Sequence, residues 1–166
     1  MRLRRSGPPA AVAARVDGRP LAFAETTDGT WLIGTRTALV VVAGDLVAIP
    51  WEHLEGADWD RDESRLRFTE IGEFGRPRPS YSFTLPDVEP RALLELIRER
   101  VTASIVLQRG HLVSGKRGFK VLGRRSPAGG PISWMFEYDE GVDPDDPAVI
   151  DAADALLGQA RADVGE

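Results

Sequence analysis

The chain has 166 residues, 21 basic against 26 acidic side chains (formal charge −5), 42% hydrophobic residues and no cysteine. This length can bury a core without disulfides, and the missing cysteine excludes thiol catalysis, cysteine-ligated zinc and iron–sulfur ligation. The longest apolar run, residues 38–43, is strand-sized, well short of the roughly 18–20 residues a membrane-spanning helix needs.

Taken in chain order, Met1-Arg2-Leu3-Arg4-Arg5 resembles the charged start of an export signal. Pro8 and Pro9 interrupt the place where a hydrophobic segment would have to follow. Residues 1–18 are therefore expected to form a flexible basic arm, and the protein is expected to be cytoplasmic. From there strands dominate. Leu21 and Phe23 alternate with Ala22 and Ala24, Thr26-Thr27-Asp28-Gly29 supplies a turn, and Trp31 and Ile33 resume the alternation. Thr37 to Val42 is aliphatic and β-branched, and Leu46 to Ile49 runs back after a turn. Trp59 opens a further strand, Leu66 and Phe68 share one face of the next, and Tyr81, Phe83 and Leu85 form another inward row after the loop from Ile71 to Ser80. About seven strands without an intervening helix favour an antiparallel meander over a βαβ nucleotide fold.

Asp87 is placed as a helix N-cap with Pro90 in the first turn. Leu93, Leu94, Ile97, Val101 and Ile105 recur at helical spacing, which carries the helix to about Leu107. A second strand set follows at His111 to Val113, Gly118 to Arg124 and Ile132 to Tyr138. In the last of these Ile132, Trp134, Phe136 and Tyr138 point one way, so a buried Trp134 is expected, with Trp134→Ala costing about 3–5 kcal/mol. Asp145 or Asp146 caps the closing helix, Pro147 takes its first position, and Val149, Ile150, Ala153, Leu156, Leu157 and Ala160 form its apolar stripe. The fold class is α+β, mostly antiparallel, with residues 19–166 as one domain. Within it, residues 19–107 supply the meander and its helix, and 108–166 supply three strands and the C-terminal helix.

Residues of about 19 to 103 resemble the bacterial pleckstrin-homology-like and GRAM-like domains. The resemblance rests on Gly29-Thr30-Trp31-Leu32-Ile33-Gly34-Thr35, on Ala38-Leu39-Val40-Val41-Val42 and on Ile49-Pro50-Trp51-Glu52-His53-Leu54. It implies a bent seven-stranded sheet capped by one helix and used to bind lipids, peptides or protein partners. The loop Glu25-Thr26-Thr27-Asp28-Gly29 is acidic where phosphoinositide-binding members carry basic residues, and the capping helix lacks the tryptophan common in eukaryotic members. No inositol-lipid binding is expected at that loop. The C-terminal portion resembles an uncharacterised actinobacterial family.

Catalytic residues, cofactors and metals are not expected. His53 and His111 lie far apart in the chain, and neither a Gly-x-Ser-x-Gly elbow nor a Gly-x-Gly-x-x-Gly loop occurs. Asp139, Asp143, Asp145 and Asp146 are rich in oxygen donors, but their spacing is not that of a calcium loop, and helix capping accounts for them. The distinctive feature is basic: Arg109, Lys116, Arg117, Lys120, Arg124 and Arg125 fall in one stretch that no acid interrupts. As a strand it would place Lys120 and Arg124 on one face, able to meet the phosphates of nucleic acid or anionic lipid. The ten acids of residues 137–166 could instead neutralise it within the fold. The expected function is a non-catalytic binding or scaffold module for a protein partner. An anion surface over residues 109–125 is the alternative, an enzyme of unknown type comes third, and self-association stays open.

Overall fold

In the computed structural model, which describes residues 7–71, 78–86 and 88–166, the first strands are β1 (Ala22–Glu25), β2 (Trp31–Gly34), β3 (Ala38–Val42) and β4 (Leu46–Pro50). Each pairs antiparallel with the next, because connections of a few residues permit only hairpins. Gly29 turns the first hairpin at φ +86°. Asp28 Oδ1 accepts the Thr30 N–H at 3.1 Å and also the Thr26 hydroxyl. These bonds, the Thr26 hydroxyl foremost, hold the Asp28 carboxyl below its ordinary value.

β2 and β3 are covered on both faces. Leu32, Leu39 and Val41 enter the inner core, while Trp31, Ile33, Val40 and Val42 form a second cluster on the opposite face. Val16 joins that outer cluster, and Val12, from the short helix α1 (Ala10–Ala13), packs against it. Arg15 donates to the carbonyls of Ala43 and Gly44 at 2.9 Å each. Residues 7–18, the described part of the expected flexible arm, thus lie against the sheet, because its outer face is apolar and needs cover. Leu21 is exposed and Phe23 faces the outer cluster, leaving Ala22 and Ala24 as the inward residues of β1.

Trp51 opens a 3-10 turn, is fully buried, and donates its indole N–H to the Thr35 carbonyl at 3.0 Å. The second antiparallel sheet follows: β5 (Leu54–Asp60), β6 (Arg65–Glu70) and β7 (Ser80–Thr84). Leu66 and Phe68 face inward as expected, and the Phe68 ring stacks with Tyr81 at 5.0 Å and Phe83 at 5.8 Å. Helix α2 (Arg91–Ser104) sends Leu93, Leu94 and Ile97 into the same core. Asp87, the expected N-cap, and most of the loop after Ile71 lie outside the described residues.

α2 stops at Ser104, short of the expected Leu107. Ile105 instead starts β8 (Ile105–Ser114), which absorbs the expected strand at His111–Val113. The cause is tertiary: Ile105 pairs with Arg124, and the Arg125 N–H donates to the Ser104 carbonyl at 2.9 Å. A β-branched pair given ladder partners leaves the helix. β9 (Arg117–Arg124) is the central strand between β8 and β10 (Ser133–Tyr138). Helix α3 (Pro147–Asp163) is capped by Asp146, which accepts the Ala148 N–H at 2.8 Å. Val149, Ala153, Leu156 and Ala160 pack with Phe119 and Val121. Trp134 lies against this core but is only half-buried, because β10 is an edge strand and no element covers its outer side fully.

The architecture is the expected α+β class with three antiparallel sheets. Contacts divide the chain into two compact units, Met1–Ala103 with Ser126–Ala128 and Ser104–Arg125 with Gly129–Glu166. No helix among the described residues is long and apolar enough to cross a membrane.

Candidate binding groove and the basic segment

The N–H of Thr26 donates to the Thr30 carbonyl at 2.8 Å, which marks Ala22, Ala24 and Thr26 as the residues whose main-chain groups face β2. The main-chain groups of Phe23, Glu25 and Thr27 therefore point off the outer edge of β1, the terminal strand of its sheet. Thr27 uses its N–H on the Thr84 carbonyl of β7 at 2.9 Å. The next residues cannot extend that contact, since Pro86 has no N–H and its carbonyl already accepts the Val88 N–H at 2.5 Å.

Past that point β1 borders an open groove of about 820 Å³, lined among others by Leu21, Phe23, Glu25, Leu85, Val88 and Leu93. Ala22 and Ala24 line it as well. Their methyl groups are too small to fill the space beside Leu93, so the groove follows from two alanines where other strands carry leucine or valine. Val88 is exposed at its rim, and Leu85 and Leu93 are buried in its floor. Glu89 and Arg91 add charged side chains to the lining. Sequence alone did not single out this place. The available signal was the pairing of a small-residue strand with the Leu-Pro step at residues 85–86.

The basic stretch is not brought together as one face. Arg109 is exposed, with both Nε and Nη2 on the Asp163 carboxylate, the former at 2.5 Å. Lys120 stands opposite Glu137 across the β9–β10 ladder, 3.5 Å from its carboxylate. Arg124 is buried and donates from Nε to the Ser104 hydroxyl at 2.7 Å. Lys116, Arg117 and Arg125 are exposed, and among the described residues no carboxylate pairs with their side chains. The Arg117 guanidinium lies over Gly141. Two of the six cations are thus neutralised by the acidic C-terminal segment and a third is enclosed.

The remaining candidates have structural partners. Asp139 accepts the Gly118 N–H at 2.7 Å, Asp143 accepts the Asp145 N–H at 2.9 Å, and Asp146 caps α3. Among the described residues no three His, Asp or Glu side chains gather as a metal-binding set. His53 is exposed beside Glu52, whose Oε2 is buried without a hydrogen-bond partner. His111 lies in the other unit, its ring 5.3 Å from Phe119. The only two tyrosines, Tyr81 and Tyr138, ionise above the ordinary phenol value. Burial is the main cause for both, reinforced by Glu70 at Tyr81 and by Asp154 at Tyr138.

No known protein family, curated protein or solved structure matches this chain significantly.

Proposed function

We propose that the chain is a non-catalytic binding module that takes an extended segment of a partner protein along the free edge of β1. One observation carries this reading: the outward main-chain groups of Phe23 and Glu25 open onto an apolar groove instead of onto another strand. A peptide added there gains ladder hydrogen bonds from the edge and selectivity from the groove. The space above Ala22 and Ala24 takes an aliphatic side chain at alternate peptide positions. The consecutive four-strand and three-strand order, followed by α2, supports the pleckstrin-homology-like reading of the same segment.

The test is selection of peptides from a displayed library on the full chain, followed by affinity measurement on two variants. Glu25→Pro removes an outward N–H that the β1–β2 ladder does not use, at an exposed edge position that tolerates proline. It is expected to weaken selected peptides about tenfold, whereas Glu25→Ala leaves them nearly unchanged. Equal binding by both variants, or no selected peptide, would overturn the proposal.

A further inference from the structure

The sheet of the second unit ends on β8, whose ten residues are exposed apart from half-buried Leu107. The Asp139 N–H donates to the Gly118 carbonyl at 2.9 Å, so Gly118, Lys120 and Leu122 turn their main-chain groups toward β10. Phe119, Val121 and Gly123 then face β8, opposite His111, Arg109 and Leu107. By the same alternation Gln108, Gly110 and Leu112 direct N–H and C=O off the open edge. Register shifts between Ile105 and Leu107 and between Leu112 and Ser114 bracket this regular run.

We propose that this edge pairs antiparallel with the same edge of a second copy, with Gly110 on the two-fold axis. A row of three outward residues is symmetric about its middle member, so an identical edge matches every donor with an acceptor. Gly110 meets Gly110, and Gln108 meets Leu112 twice, forming about six main-chain hydrogen bonds. Leu112, 68% exposed and the most exposed large apolar side chain among the described residues, gains cover from the methylenes of Gln108 across the axis. Sliding the register by one pair either way keeps two outward pairs instead of three, and one of the two slides sets Arg109 against Arg109, which like charge disfavours, whereas the Gly110-centred register sets Arg109 against His111. The bulges confine pairing to the regular run. The contact uses the same patch on both copies, so it closes at a dimer.

The chain has no cysteine, so Gly110→Cys introduces a single thiol. A Cβ there meets only Lys120 Cγ and the Phe119 carbonyl oxygen, each at 3.9 Å, an ordinary contact. Across a hydrogen-bonded antiparallel pair the Cα atoms are about 5.5 Å apart, within disulfide reach. The unmodified full chain is expected to sediment as a dimer at about 50 μM, and mild oxidation is expected to convert Gly110→Cys to a covalent dimer. Leu112→Cys, whose copies would stand about 13 Å apart along the strands, is expected to stay uncrosslinked. A monomeric unmodified chain, or Leu112→Cys crosslinking as readily as Gly110→Cys, would overturn the proposal.

Discussion

The Thr27 N–H and the Thr84 carbonyl, 2.9 Å apart, join the edge of the first sheet to the edge of the second at one point. The Thr27 hydroxyl reaches the same carbonyl at 3.2 Å. Beyond this bond, Pro86 offers no donor and the chain turns into α2, so the two edges part and the groove opens between them. The groove therefore depends on where a ladder is prevented from continuing.

That arrangement predicts an alternating pattern of amide exchange along β1. Ala24 and Thr26, bonded to β2, are expected to exchange at least roughly tenfold more slowly than Phe23 and Glu25 in the unliganded chain. Hydrogen exchange resolved by residue checks this, and equal protection at all four positions would mean that the outer edge is already paired.

The tryptophans separate core from edge. Trp51 is fully enclosed and hydrogen-bonded to the Thr35 carbonyl, so Trp51→Ala is expected to cost about 3–5 kcal/mol. Trp134 is half-buried across Gly123 with its indole N–H on Glu166 at 3.0 Å. Trp134→Ala is expected to cost about 2 kcal/mol, a lower figure because less area leaves water. Urea denaturation of both variants gives the comparison.

For Arg124 the burial reverses the expectation of an anion-binding residue. Arg124→Ala is expected to destabilise by about 1–3 kcal/mol through the lost hydrogen bond to the Ser104 hydroxyl and lost packing, with heparin retention unchanged. Lys116→Glu with Arg117→Glu is expected to lower retention without a stability loss above about 0.5 kcal/mol. Salt-gradient elution and thermal melts read the two effects separately.

Both phenols are held neutral in the fold, so their contribution to stability runs in one direction with pH. It is complete below the unfolded phenol value of about 10 and is lost as pH rises through the higher folded values. Absorbance titration near 295 nm is expected to show tyrosinate appearing above pH 10 in the folded chain and earlier in denaturant, with alkaline unfolding accompanying it. A normal folded titration at about 10 would show that Tyr81 and Tyr138 are solvated.

Residue pattern alone determined the α+β class and most strands, because alternation such as Leu66 and Phe68 or Tyr81 and Phe83 reports a one-sided burial that local chemistry dictates. It also determined α3, where Asp146, Pro147 and a 3.6-residue apolar stripe agree. Tertiary structure decided the rest. Ile105 leaves the helix only because β9 offers it a ladder, and Val12 and Val16 gain order from a sheet face that their own segment does not reveal. Arg124 looks like any charged strand residue until the fold buries it with its Nε on the Ser104 hydroxyl. The groove beside β1 and the open edge of β8 are set by which hydrogen-bonding groups lack a neighbour, a property of the assembled sheets that no single strand carries.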